Sequence, residues 1–90
     1  MINWKIVWQK FEEKYRKEVE NWQDYDWVAQ KAHIEQLVGL FVEVTQKQWQ
    51  KIWDKIDQIP IVSTWKDSQW LIQSEIELIG EISETPNKTL

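Results

Sequence analysis

Few residues in this 90-residue chain are of a type that does chemistry. There is one histidine, His33, and no cysteine. A helical metal pair needs a second His or Cys three or four positions away, and none stands there. The Glu-x-x-His spacing of di-iron bundles also fails, because position 30 is Gln. Glu75, Glu77 and Glu81 are the other candidates, since neighbouring carboxylates can divide general-acid and general-base work. No nucleophile or base accompanies them, and on a helix they read as a solvated face. No phosphate loop, dinucleotide fingerprint or Gly-x-Ser-x-Gly elbow occurs. The chain is therefore expected not to be an enzyme, and no metal or cofactor is expected.

Tryptophan is the strongest signal, with eight in the chain. Its large ring favours the core, and its N–H wants one partner. It is also enriched where proteins bind each other. Trp22 and Trp27 stand five positions apart, as do Trp65 and Trp70. On a helix that spacing turns the two rings different ways, so both cannot face one core. These four are candidate partner-binding residues. Glu75, Glu77 and Glu81 join them as an acidic face that a basic site would match.

Charge narrows the partners. The net charge is −4, and after Lys66 the acids Asp67, Glu75, Glu77, Glu81 and Glu84 meet no cation until Lys88. Nucleic acid is disfavoured, because phosphate contacts need a basic face. Lys47, Lys51 and Lys55 form one short row beside Asp54 and Asp57, which reads as a solvated ladder. No apolar run approaches the ~20 residues of a membrane helix. The first residues lack the features of a secretory signal, so a cytoplasmic location is expected.

These side chains need elements to position them. The hydrophobic share is 42%, with two Gly and two Pro, which favours one globular domain over a turn-rich sheet. The longest apolar run, Leu37 to Val42, lies mid-chain, and the flanks are expected to fold over it. Asn3 can cap a helix from Trp4. Trp4, Trp8, Phe11, Tyr15, Val19 and Trp22 recur at helical steps, predicting about five turns. The Asp residues at 24 and 26 can cap a second helix starting near Tyr25 or Trp27. The dense β-branched residues from Val38 to Thr45 admit a local strand, yet helix is preferred because no turn signal interrupts it. Thr45 with Gln48 matches a capping box, so a bend or break is expected between Gly39 and Gln46. Ile59-Pro60 ends the next helix. Ser63, Thr64 or Asp67 caps the last one, whose apolar positions include Leu71, Ile72, Ile76, Leu78 and Ile79.

The tryptophan pairs also match each other. W4-K-I-V-W8 resembles W49-Q-K-I-W53, and W22-Q-D-Y-D-W27 resembles W65-K-D-S-Q-W70. Gln30 and Gln73 follow at equal distances, and each copy then reaches Ile-Glu and a glycine, Gly39 or Gly80. This predicts two duplicated helical hairpins.

The expected fold is all-α, a small bundle of three helices, or four if the central one breaks between Gly39 and Gln46. Residues 1–84 form the domain and 85–90 a flexible tail. The expected function is a non-catalytic protein–protein interaction or assembly module, self-associating through Trp-rich helical surfaces into a homo-oligomer. The alternatives are an acidic inhibitor or decoy for a basic site, or a carrier with an aromatic-lined cavity.

Overall fold

The computed structural model of the chain describes residues 2–20 and 26–85. The elements run α1 (Trp4–Lys14), α2 (Arg16–Glu20), α3 (Trp27–Val38), β1 (Val42–Glu43), α4 (Gln46–Asp57), α5 (Trp65–Ile79) and β2 (Ser83–Glu84). The fold is mostly helical. Trp22 and Tyr25 lie outside the described residues.

Each longer helix begins where a short polar side chain satisfies a first-turn N–H. Asn3 accepts from Ile6 at 3.3 Å, and Asp26 from Ala29 at 2.9 Å. Thr64, the middle of the three candidates for the last helix, accepts from Asp67 at 3.3 Å. The first helix departs from expectation. It breaks at Tyr15, whose φ of −111° and ψ of 33° leave the helical region. Its hydroxyl donates to Gln36 at 2.7 Å and its ring stacks on His33 at 4.3 Å.

The central stretch breaks within the interval expected, between Gly39 and Gln46, and forms two helices. α3 ends at Val38, and turn bonds from Leu40 to the Leu37 carbonyl and from Phe41 to the Val38 carbonyl follow. Val42 and Glu43 are then extended. The β-branched residues after Phe41 disfavour helix, and Thr45 opens α4 with a complete capping box. Gln48 donates its backbone N–H to the Thr45 hydroxyl at 3.2 Å, and Thr45 its own to the Gln48 side chain at 2.8 Å. A cap this well made starts a new helix rather than continuing an old one.

The short ladder was not expected. β1 pairs antiparallel with β2, Val42 opposite Glu84 and Glu43 opposite Ser83. Gly80 turns the chain into β2 with φ 70°, a left-handed cap that costs other residues strain. Thr85, placed at sequence level in the tail, belongs to the fold. Its N–H donates to the Phe41 carbonyl at 2.7 Å and its hydroxyl to the Leu40 carbonyl at 2.9 Å.

Helices pack as α1 on α3, α4 on α5, and α3 on α5. Leu37, Val38 and Val42 from the middle stretch are fully buried among Phe11, Ile52, Ile56, Ile72 and Ile76. Among the described residues no helix is long and apolar enough to cross a membrane.

Candidate functional site

Indole N–H groups tie the helices together. On α1, Trp8 donates to Gln73 at 3.0 Å and Trp4 to Glu77 at 3.1 Å, both on α5. The two rings stack 5.6 Å apart. On α4, Trp49 and Trp53 stack likewise at 5.3 Å. Trp53 donates to Glu35 on α3 at 2.7 Å, and the Lys31 ammonium stands 5.8 Å from its ring centre. Gln73 and Glu77 are one turn apart, as are Lys31 and Glu35. Stacked indoles thus occur twice on a first helix: both of the α1 pair donate to α5, and of the α4 pair Trp53 donates to α3.

The predicted binding residues fall in different places. Trp65 is 1% exposed and packs against Trp8 at 6.1 Å and Phe11 at 4.6 Å, so it is a core residue and offers a partner nothing. Its burial follows from the stripe it shares with Ser68, Ile72 and Ile76 on α5. Trp27 is half-buried and occupied within the chain. Its N–H donates to Asp57 at 2.8 Å, and Lys31 lies 5.8 Å from its ring while pairing with Asp57 at 2.9 Å. Trp70 is 60% exposed. Every other described tryptophan is buried or half-buried.

The carboxylates divide too. Glu75 is half-buried and pairs with Lys55 at 3.1 Å. Glu77 is exposed but holds the Trp4 N–H. Glu81 is exposed beyond the end of α5. The three therefore do not form one converging set.

Leu78, counted among the apolar positions of the last helix, is 74% exposed. It stands two residues from buried Ile76, which on a helix is nearly the opposite side. That offset was readable in advance once the buried stripe was aligned on Trp65. Leu78 lies two turns beyond Trp70, with Ser74 exposed between them. Trp70, Ser74 and Leu78 form an outward row at steps of four, apolar at both ends and small in the middle. The chain shift that carries Lys31 to Gln73 and Glu35 to Glu77 carries Val28, Ala32 and Gln36 onto this row, one residue off the sequence match of Trp27 with Trp70 and Gln30 with Gln73. Val28 is also exposed, so the same face of α3 points outward.

An open groove of about 590 Å³ lies between α3 and α4, where Val28, Ala32 and Gln36 face Trp49, Gln50 and Trp53. Its two indoles are almost wholly buried, so no ring face is presented to a ligand. Among the described residues no three His, Asp or Glu side chains converge as metal ligands. The α5 row can offer apolar contact area framed by acids, which is recognition chemistry. No protein family, curated protein or solved structure matches the chain.

Proposed function

We propose that the chain is a non-catalytic protein-binding module that docks its partner on the outward row of α5. The observation that carries this is Trp70, 60% exposed in a molecule that otherwise covers its described indoles. A large exposed apolar ring costs free energy in water and is the side chain most enriched at binding hot spots. Leu78 and Ser74 extend the contact, with room at the centre for an incoming side chain.

Composition alone suggests a surplus of aromatic surface that a second copy would cover. The core takes up most of that surplus, and among the large apolar side chains still exposed Trp70 and Leu78 share one helix row. Trp70→Ala tests the reading. Helicity and melting temperature should hold, because an exposed side chain moves stability by only about 0.5 kcal/mol. Photocrosslinking from a probe residue at position 74 should capture a protein in cells of the source organism, and Trp70→Ala should abolish that capture. Capture undiminished by Trp70→Ala would remove α5 as the docking face.

We also read α1–α3 and α4–α5 as two copies of one ancestral hairpin. The doubled indole arrangement supports this. So does the placement of the two short strands, β1 after α3 and β2 after α5, paired with each other.

A further inference from the structure

We infer that the partner seated on the α5 row is a basic amphipathic helix, with an aliphatic residue over Ser74 and lysines or arginines at its flanks. This rests on the α5 docking face proposed above. The frame around the row is acidic. Asp67 stands one turn before Trp70, and Glu77 and Glu81 flank Leu78; all three are exposed. Lys66, exposed and one turn before Trp70 on the same row, is the lone cation between Trp65 and Ile82, so three exposed acids stand against one base. Two of the carboxylates are already positioned. Asp67 accepts from the Thr64 hydroxyl at 3.0 Å and Glu77 from the Trp4 indole at 3.1 Å. A carboxylate held in place loses less side-chain freedom when a cation arrives. Trp70 and Leu78 are about 12 Å apart along the helix, at 1.5 Å per residue, which suits one aliphatic side chain between them.

The protein already displays the chemistry inside itself. Trp27 has a lysine one turn on, Lys31, which lies over its ring and pairs with Asp57. Trp70 has Ser74 in that position, and no described group donates a cation or hydrogen bond to it. A basic side chain from outside would supply what Lys31 supplies to Trp27.

A second copy fits less well. Two α5 helices crossing antiparallel at Ser74 would set Trp70 against Leu78 at both ends. The same crossing brings both acidic frames, each with Asp67 and Glu77, onto one interface, and like charge on both copies disfavours the pair.

The test uses the full chain and three labelled peptides of about twenty residues. All share one leucine-striped helix, and their flanking positions are all Lys, all Gln or all Glu. Fluorescence anisotropy should show the Lys peptide binding at least about tenfold tighter than the Gln peptide, with the Glu peptide weakest and binding weakened at about 0.5 M salt. Trp70→Ala should weaken the Lys peptide by about tenfold or more. Ile61→Ala, at an apolar residue exposed elsewhere, should leave it unchanged. Ser74→Lys, which gives Trp70 an internal cation, should also weaken it. If the Gln or Glu peptide binds as tightly as the Lys peptide while Trp70→Ala still reduces binding, the basic partner is overturned and the docking face stands. If Trp70→Ala changes nothing, both fall. If no peptide binds and sedimentation shows a dimer that Trp70→Ala dissolves, the occupant is a second copy.

Discussion

Trp53 shows how one indole holds two helices. Its ring stacks on Trp49, Trp27 meets it edge-on at 5.8 Å, and its N–H ends on the Glu35 carboxylate. Hydrogen bonds to a charged acceptor are stronger than neutral ones. Trp53→Phe keeps a ring but leaves Glu35 half-buried with its donor gone. We expect a loss of about 2 kcal/mol, read as a fall in melting temperature of about 10 °C. A fall under about 3 °C would mean that stacking alone holds this corner. Trp70→Phe, made in parallel, should leave the melting temperature within about 3 °C of the parent. The sequence distinguishes these two tryptophans poorly, because type and composition are the same. Burial depends on which side of the helix each one occupies. Trp65 proves to be in register with buried Ser68, Ile72 and Ile76, which its five-residue spacing from Trp70 did not by itself reveal.

Helix starts were legible in the chain, and the reason is local. Asn3, Thr45 and Thr64 bond N–H groups within three residues of themselves, so no distant part of the molecule is needed to place them. Thr45 matters most, since its cap separates α4 from α3. Thr45→Ala should cost about 1 kcal/mol, while Thr45→Ser should retain most of the stability. Urea denaturation will measure both, and equal losses would show that the hydroxyl is not what starts α4. Two features escaped the local rules. The break at Tyr15 lies within an unbroken apolar stripe. The β1–β2 ladder joins residues about forty apart in two-residue strands, too short for any periodic signal.

The two hairpins interlock, because Trp4 and Trp8 of α1 end on α5 and Trp53 of α4 ends on α3. If they descend from one unit, they should still be interchangeable. In a chain of two copies of residues 45–85 joined head to tail, Trp49 and Trp53 of each copy would find Glu77 and Gln73 of the other, as Trp4 and Trp8 now do. That chain should be helical by circular dichroism and unfold in one cooperative transition. A helical chain that melts gradually, without fixed packing, would show that the two halves have diverged beyond exchange.

From its residues alone the chain declared itself helical, placed most helix starts, located Leu37 to Val42 at the centre and warned of the break before α4. All of these rest on interactions within a turn or two, or on apolar area that must leave water wherever the chain goes. Which tryptophan stays outside, whether Glu77 is free or holds an indole, and where Thr85 is tied were decided by packing. Each depends on how one helix is rotated against another far along the chain, and that rotation is set by the sum of many contacts rather than by any local spacing.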